Sequence, residues 1–351
     1  CQDIELFFMS PYRLYDLSSP DPSNMQITEP SSSSSQSSRK EAIIKQIPAL
    51  QKLQPTIIQA SDARELTWAV RFRQLTGARI VYDSHEDYFN QIYEYSGKTL
   101  RSLVSAVKVA AFEIILARFF KAVVCTDEFL FKKYSHPVYG CRSVNLLRNF
   151  PPREMVATQS SYQRKSKLDL VYIGSINPYR GVIECAEYVA RFNAKHSPNY
   201  NLTFTVYSSS HPILDSLVGQ KKIRHFSWVD YARLMEELPG YDVGICLWHR
   251  LKKFEHNIPL KNFDYMAAGL PIITSNFGNL KKYAQLSGGA ICIDPLDYGA
   301  FETAVLSLFD PILRRKLGKT GRSFIVNQAT FESEASEYVK VMVEDIEGKS
   351  Y

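Results

Sequence analysis

The chain is predicted to be an α/β protein made of two Rossmann-like, doubly wound parallel-sheet domains that face a cleft. Short apolar strands alternate with amphipathic helices over most of its 351 residues, a pattern typical of βαβ units. This length suits two domains that each bury a core. The run Asn-Phe-Pro-Pro-Arg at 149–153 interrupts the alternation, and a polar, basic stretch follows at 160–167. We therefore expect the domain boundary there.

The first domain, residues 1–152, is expected to alternate strands and helices after an unusual start. A strand-like segment, Asp3–Met9, comes first, and residues 10–38 are rich in Ser, Pro and Asp, which indicates a flexible loop or insertion. Because a doubly wound domain normally starts with a strand and a glycine-rich turn, we expect this domain to lack its first strand. The other predicted strands are 56–59, 79–82, 122–125 and 143–147, and the predicted helices include 39–53, 63–76 and 100–121.

The second domain, residues 160–330, repeats the alternation, and the chain then ends in helices, the last at about 331–347. Its ligands are expected at the carboxyl ends of the strands, where the crevice of a doubly wound sheet opens. The predicted strands are 168–173, 202–207, 223–226, 242–247, 270–274 and 290–293.

The composition restricts the class of function. With 45% hydrophobic and 22% charged residues, the chain is typical of a soluble globular protein, and no apolar run approaches the ~18 residues that cross a bilayer. Its six cysteines are scattered without a C-x-x-C pair, which favours free thiols in a reducing cytoplasm over disulfides or a metal site. The net charge of +6 fits an anionic ligand or an acidic membrane surface, and it is too diffuse to indicate nucleic acid.

The segment that starts at Pro259 indicates an anion site. A helix is expected to open on Pro259, which has no N–H to lose at a first helical position, and to end before Gly269. A polar loop, residues 249–257, precedes it. The N–H groups at such a helix start attract anions, phosphate above all. The alternative is an ordinary helix of an α/β domain.

A second candidate site follows the first strand of the second domain. Gly174 permits a tight turn, and Arg180 with Gly181 starts the next helix. A guanidinium beside a helix N-terminus can clamp a diphosphate with paired hydrogen bonds. The alternative is a surface arginine in a loop. The G-x-G-x-x-G fingerprint occurs nowhere in the chain, so a nicotinamide-dependent dehydrogenase is a poor option.

The first domain offers titratable residues at the predicted cleft. Asp83, His85 and Glu86 leave a buried strand at its carboxyl end. A histidine in such a place can donate to a developing charge or to a sugar hydroxyl. The alternative is turn chemistry with a solvated imidazole.

The helix predicted at 100–121 combines an apolar stripe with basic residues. We expect the stripe to pack on the sheet, and the alternative is peripheral contact with a membrane. The apolar positions are Leu100, Leu103, Val104, Val107, Ala111, Ile114 and Ile115, and the basic positions are Arg101, Lys108, Arg118 and Lys121.

Three of these segments resemble one family. Residues 259–274, PLKNFDYMAAGLPIIT, resemble the signature of GT-B glycosyltransferases, specifically the large retaining (family 4-like) group that includes many bacterial polysaccharide and lipopolysaccharide transferases. The residues from Gly174 to Gly181 resemble the first loop of its donor domain, and the run from Asp83 to Glu86 resembles its acceptor-domain motif.

The resemblance implies a metal-independent, retaining transfer of a sugar from a nucleotide-diphosphate sugar to a glycan or lipid-linked acceptor, in polysaccharide biosynthesis. UDP is favoured over GDP by its frequency in the family. The implied enzyme is cytoplasmic, with peripheral contact at the inner face of the membrane in the case of a lipid-linked acceptor. It needs no cofactor beyond the nucleotide sugar.

The resemblance also implies catalytic roles for three residues. Arg180 and Lys261 would contact the donor phosphates and stabilise the leaving diphosphate, and His85 would face the donor sugar across the cleft. Asp264 would bind the ribose hydroxyls. The other implied contacts to the substrate are Gly174, Ser175, Trp228, Val229, Glu255, His256 and Asn257.

Two positions depart from the family pattern. Ser175 stands where many relatives carry an arginine, and His256 stands where the first of two glutamates is common. Because of these departures, a non-catalytic homologue that binds a nucleotide sugar or a glycan is the alternative to the enzyme.

For Trp228, a place in the core is an equal alternative to contact with the base.

Two further segments resemble structural parts of the same fold. Asn149–Pro151 resembles the start of the interdomain linker, and residues 331–333 resemble the start of the final crossover helix. Residues 331–351 are therefore expected to pack back on the first domain.

Overall fold

A computed structural model of the chain describes residues 7–9, 14–16, 44, 47–48, 51–61, 63–157, 162–220 and 222–343. These residues contain two parallel sheets, one of four strands and one of six, with helices packed around them. The predicted class, two Rossmann-like α/β domains, is confirmed. Most of the loop predicted at 10–38 and part of the helix predicted at 39–53 lie outside the described residues.

The four-stranded sheet lies in the first domain and is parallel throughout, in the order β3-β4-β5-β6. A separate antiparallel pair, β1 and β2, precedes it, so part of the predicted loop forms a strand. The strands are β1 (Phe7–Met9), β2 (Leu14–Asp16), β3 (Ile57–Ala60), β4 (Arg79–Ser84), β5 (Phe120–Cys125) and β6 (Val144–Leu146). The helices are α1 (Leu66–Thr76), α2 (Tyr88–Tyr95), α3 (Leu100–Ala117) and α4 (Glu128–Ser135).

The six-stranded sheet lies in the second domain, in the order β12-β11-β10-β7-β8-β9. All its pairs are parallel, and apolar clusters cover both of its faces. The strands are β7 (Lys167–Ile173), β8 (Asn201–Tyr207), β9 (Arg224–Phe226), β10 (Val243–Cys246), β11 (Ile272–Ser275) and β12 (Ala290–Ile293). The helices are α5 (Val182–His196), α6 (Pro212–Gly219), α7 (Tyr231–Glu237), α8 (Lys252–His256), α9 (Leu260–Ala267), α10 (Gly278–Ser287), α11 (Tyr298–Leu308), α12 (Pro311–Gln328) and α13 (Phe331–Val343).

The order in which the chain adds strands to this sheet reverses between the neighbouring strands β7 and β10. From β7 the chain builds outward through β8 and β9, and it then returns to the other side of β7 to add β10, β11 and β12. The loops that leave β7 and β10 therefore diverge to opposite faces and open a crevice at the carboxyl ends of these strands. The sheet topology places the crevice of the second domain there.

Helix α3 corrects one prediction in two ways. It ends at Ala117 because residues 120–125 form β5, so Lys121 lies in a strand. The apolar stripe predicted to pack on the sheet is mostly exposed, and the buried residues of α3 are Ser102, Ala106, Glu113, Leu116 and Ala117. The buried Glu113 explains this orientation, because its carboxylate accepts hydrogen bonds from Lys133 Nζ at 2.7 Å and Tyr134 Oη at 2.9 Å.

The segment before α9 also differs from its prediction. Pro259 lies at the N-cap, one residue before the first helical position, and the loop expected at 249–257 contains the short helix α8. The other end is as expected, because Gly269 adopts a left-handed φ of 76° just after the last turn.

Helix α13 contacts the first domain. The backbone N of Arg148 and its Nε each donate to the carboxylate of Glu334 at 2.6 Å. Tyr338 Oη donates to Gln59 Oε1 at 2.7 Å. Of the six cysteines, five lie in the described part of the chain and are free thiols.

Candidate functional site

Two glycines form the floor of the crevice at the carboxyl end of β7. Gly174 has a φ of 129° and donates its N–H to Tyr207 O at 3.0 Å. Gly181 has a φ of 69° and forms the N-cap of α5. A side chain at Gly181 would overlap the Leu247 carbonyl oxygen, so only glycine fits between β10 and this loop.

The side chain of Lys261, on α9, extends to the loop that contains Gly174. Its side chain is 6% exposed, and its Nζ lies 3.7 Å from the centroid of the Tyr172 ring. A Cβ atom placed on Gly174 would lie only 2.8 Å from Nζ, so the ammonium group touches the backbone of the loop. Among the described residues, Nζ has no hydrogen-bond partner. Burial, together with the nearby charge of Arg180, lowers the pKa of Lys261 to about 7.

Arg180 brings a second cation to the same place. Its Cζ lies 5.2 Å from the centroid of the Trp248 ring, and its buried Nε has no hydrogen-bond partner in the described part of the chain. Neither Arg180 nor Lys261 forms an ion pair with a carboxylate there. Two cations rest on aromatic faces without an ion-paired carboxylate, and an anion in the crevice would pair with them.

Ser175 does not add a third cation. It is exposed, and its carbonyl oxygen accepts a hydrogen bond from Tyr172 Oη at 2.8 Å. The positive charge at this loop therefore comes from Arg180 and Lys261.

Helix α9 holds Lys261 in place because its other side chains are tied to the sheet. Tyr265 Oη accepts from the N–H of Ile173 at 2.9 Å and donates to Ile245 O at 3.3 Å, which joins α9 to β7 and β10. Asn262 Nδ2 donates to Thr274 Oγ1 on β11 at 3.1 Å. Pro259 provides no side-chain cap, and its carbonyl oxygen accepts from the N–H of Asn262 at 3.0 Å. In this turn the N–H groups of Leu260 and Lys261, which precede the first intrahelical hydrogen bonds, are the ones that a ligand can use.

Asp264 lies one turn after Lys261, next to the segment that contains Trp228. Its Oδ1 accepts from Tyr231 Oη at 2.7 Å, and burial raises its pKa to about 6. Trp228 is exposed rather than part of the core, whereas Val229 packs against the apolar cluster beneath it. Asp264, Trp228 and Val229 thus lie at one end of the crevice, around Tyr231.

Helix α8 carries the other predicted contacts and is turned toward the first domain. The ring of His256 stacks on Phe129, with centroids 4.3 Å apart and planes 6° apart. Glu255 accepts from Arg250 Nε at 3.0 Å, and Asn257 caps the end of the helix. These three residues therefore lie at the edge of the cleft that faces the first domain.

His85 lies at the carboxyl end of β4, in the first domain. Its Nε2 is 3.0 Å from Asp83 Oδ2, and this hydrogen bond raises the pKa of His85. Its Nδ1 lies 3.4 Å from Asn149 Nδ2, at the end of the first domain. Gln59 Nε2 also donates to Asp83, at 3.0 Å. The imidazole is half-exposed and is held by its neighbours.

The carboxyl ends of the two sheets face each other. Phe129 of α4, which follows β5, meets His256 of α8, which follows β10. On the same side, the carboxylate of Glu94 accepts from the backbone N of Lys252 at 3.1 Å and of Lys253 at 3.0 Å, which caps the start of α8. The first domain thus closes over the crevice of the second.

Several residues of the site were not identified from the sequence. Tyr172 and Trp248 form the aromatic surface under the two cations, and Tyr231 binds Asp264. A signal for the first two exists, because each aromatic residue lies at the carboxyl end of one of the two adjacent strands β7 and β10. No comparable signal points to Tyr231.

Two facing Rossmann-like domains, with a crevice at the switch point of the second, define the GT-B fold. Residues 167–310 match the family model described as Glycosyl transferases group 1. A comparison with curated proteins gives no significant match.

Solved structures share the fold at low sequence identity. Sucrose-phosphate synthase from Thermosynechococcus elongatus aligns with a TM-score of 0.67 at 15% identity, over 88% of this chain and 79% of that chain. Anabaena HepE, in complex with UDP and glucose, aligns with a TM-score of 0.62 at 11% identity, over 86% of this chain and 81% of that chain. An E. coli structure described as trehalose-6-phosphate bound with UDP-2-fluoro glucose aligns with a TM-score of 0.59 at 12% identity, over 90% of this chain and 80% of that chain.

The described residues contain no group of three or more His, Cys, Asp or Glu residues placed to hold a metal ion. No helix among them has both the length and the apolar character needed to cross a bilayer.

Proposed function

We propose that the protein is a glycosyltransferase that moves a sugar from a nucleotide-diphosphate sugar to a glycan or lipid-linked acceptor. The observation that carries the proposal is the pair of cations, Lys261 and Arg180, that converge on the Gly174 loop without an ion-paired carboxylate. The match of residues 167–310 to the group 1 glycosyltransferase model supports it. UDP is the proposed nucleotide, and the UDP and UDP-sugar complexes among the structural neighbours support this choice.

The proposed reaction depends on stabilising the leaving diphosphate. Negative charge develops on the diphosphate oxygens as the bond to the sugar breaks, and fixed cations in a crevice that excludes water stabilise that charge. Lys261, Arg180 and the open N–H groups of α9 supply this stabilisation without a metal ion. Asp264 accepts hydrogen bonds from the ribose, with Trp228 and Val229 beside the base.

His85 is proposed to act on the sugar from the opposite side of the cleft. Asp83 favours its protonated form, and an imidazolium donates to a sugar hydroxyl or to developing negative charge. We propose that the reaction proceeds with retention of configuration and serves polysaccharide biosynthesis.

The acceptor is proposed to bind in the first domain. A cavity of about 480 Å³ lies there and begins next to His85, at Glu86. Its lining is mostly apolar, with one carboxylate and one amide, which suits a sugar that carries an apolar group. The lining residues are Ala63, Glu86, Tyr88, Gln91, Ile92, Val109 and Phe112.

Calorimetric titration without added metal tests the donor site. UDP, GDP and their sugar conjugates are titrated into the wild type, Arg180→Ala and the matched control Arg315→Ala, whose arginine is exposed on α12. We expect UDP to bind the wild type and the control, and the affinity to fall about tenfold to a hundredfold in Arg180→Ala. Absence of nucleotide binding to folded wild type would contradict the proposal.

The alternative function is a non-catalytic binder of a nucleotide sugar or a glycan. Ser175 and His256 favour it, because they stand where the pattern that this chain resembles commonly has an arginine and a glutamate. UDP-sugar binding at the predicted site, with neither transfer to an acceptor nor release of UDP over time, would establish this alternative.

A further inference from the structure

Helix α3 exposes a continuous apolar surface. Leu100 is 78% exposed, Val107 52% and Ile115 60%. They belong to a set spaced at three and four residues along one face of the helix, and this set is called the α3 stripe below. The α3 stripe consists of Leu100, Leu103, Val104, Val107, Ala111 and Ile115. Helix α3 has 18 residues and is about 27 Å long, and the stripe runs along most of it. The stripe is therefore a contiguous apolar patch and not a set of isolated surface residues.

The exposed charges of α3 have one sign. Arg101, Lys108 and Arg118 are exposed beside the stripe. The single acidic residue of α3 is Glu113, which is turned inward and paired with Lys133. The exposed side of the helix therefore presents apolar and cationic groups, with the hydroxyl of Ser105 and no carboxylate, which is the composition of helices that lie in the headgroup region of an anionic bilayer.

We propose that the α3 stripe docks the protein on the surface of an anionic lipid bilayer. The helix lies in the plane of the interface, with the stripe at the acyl boundary and Arg101, Lys108 and Arg118 against the lipid phosphates. A second copy of the chain is a poor occupant of this face, because two such helices would bring their cations together. The helix is not apolar enough to cross the bilayer, so it rests on the surface.

This docking goes beyond the proposed transfer reaction, and it would bring the acceptor cavity close to the bilayer. Val109 and Phe112, on the inner side of the same helix, line that cavity. A bilayer against the α3 stripe therefore lies on the other side of one helix from the proposed acceptor site, which suits an acceptor with its lipid chain in the membrane. That consequence rests on the proposed function, whereas the docking itself does not.

Sedimentation with lipid vesicles tests the docking. The full chain is mixed with vesicles of phosphatidylcholine alone, or of phosphatidylcholine with an equal amount of phosphatidylglycerol. The variant Val104→Gln/Val107→Gln removes apolar character from the α3 stripe. The control is Ile312→Gln, because Ile312 is 77% exposed on α12 of the second domain. Circular dichroism and a thermal unfolding curve check that each variant is folded.

We expect the wild type and Ile312→Gln to sediment with the anionic vesicles, and the stripe variant to lose about tenfold or more in partitioning. Arg101→Gln/Lys108→Gln should lose about fivefold per removed cation and show a weaker dependence on salt. Equal sedimentation of the wild type and the stripe variant, or no sedimentation of the wild type with anionic vesicles, would overturn the proposal.

Two measurements keep the docking separate from the other conclusions. UDP titration of the same variants should give the wild-type affinity, since the donor crevice lies in the other domain; a failure of docking with intact UDP binding then leaves the donor site standing. Light scattering in solution detects self-association. If the wild type forms a dimer that the stripe substitutions disrupt, and if it does not bind vesicles, the proposal of membrane docking is wrong. The α3 stripe is then a contact between two copies of the chain.

Discussion

At the scale of single residues, the donor crevice is defined by a lysine whose position is unfavourable in the unliganded protein. Lys261 is buried against Tyr172 without an ion-paired carboxylate. Asp264 acts on it electrostatically without forming an ion pair, and Arg180 adds a like charge nearby. A buried cation of this kind destabilises the fold, and a bound diphosphate removes the penalty. Ligand binding and stability should therefore respond in opposite directions when Lys261 is replaced.

Replacement of Lys261 by methionine should stabilise the protein and abolish UDP binding. Methionine fills similar volume, and the folded pKa of Lys261, about 7, lies below its ordinary 10.5. Protonated Lys261 therefore opposes folding at low pH, and its penalty fades as pH rises from about 7 to 10.5. We expect Lys261→Met to gain about 1–3 kcal/mol near pH 6 in urea unfolding, and less near pH 9. A loss of stability near pH 6 would contradict this account.

UDP affinity should fall as pH rises above about 7. The diphosphate binds the protonated ammonium, so binding to protein in which Lys261 is neutral requires uptake of a proton. Above its free-state pKa, the affinity should drop by up to about tenfold per pH unit. Titration calorimetry of the wild type over this range measures the slope, and a UDP affinity that stays constant as pH rises above 7 would exclude the Lys261 ammonium as a determinant of binding.

The pKa of His85 should depend on Asp83. The hydrogen bond between them raises the pKa of His85, so Asp83→Asn should lower it. An NMR titration of the imidazole signals measures this, with the exposed Asp215→Asn as the control. An unchanged pKa in Asp83→Asn would show that Asp83 does not hold the proton on His85.

At the scale of elements, α9 is fixed by one tyrosine. The hydroxyl of Tyr265 bridges Ile173 on β7 and Ile245 on β10, and Gly244 leaves room for its ring. Tyr265→Phe leaves the N–H of Ile173 buried without its partner and should cost about 1–3 kcal/mol. Urea unfolding measures the difference against Tyr200→Phe, whose side chain is partly exposed. Equal stability of the two variants would show that the bridge adds nothing.

The elements also show what a sequence pattern does and does not determine. The period of α3 correctly predicts a helix with one apolar face, but it does not tell which face is buried. The buried face is selected by Glu113, whose partners Lys133 and Tyr134 lie on α4, far along the chain. The strands of the two parallel sheets were predicted to within one or two residues because buried β-branched runs are local signals. Helix α8 was missed because five helical residues leave no period.

At the scale of the whole molecule, the ligand contacts divide between the domains. The proposed diphosphate contacts all come from the second domain, while the stack of Phe129 on His256 crosses the cleft. Phe129→Ala should therefore leave UDP affinity within about twofold of the wild type and lower the transfer rate about tenfold, because closure of the first domain is impaired. Steady-state kinetics with calorimetry separates the two effects. A large loss of UDP affinity would show that closure contributes to nucleotide binding.

The class of the whole fold and the ends of the strands that carry the site followed from the sequence, because βα alternation forces ligands to the carboxyl ends of parallel strands. The partners of the site residues did not. Asp83 and Tyr231 act through contacts that depend on rotamers and on packing between elements. The stacking of His256 on Phe129 depends on how the two domains are arranged. These are properties of the assembled chain.

The unusual acidity of the Lys261 ammonium has a calorimetric consequence. If a proton enters the crevice together with the nucleotide, the buffer must release it, and the heat of that release is added to the measured heat of binding. Titrations in Tris and in Hepes at the same pH would then give different apparent enthalpies for one and the same affinity. The difference, divided by the difference in buffer ionisation heats, counts the protons that accompany each nucleotide into the protein.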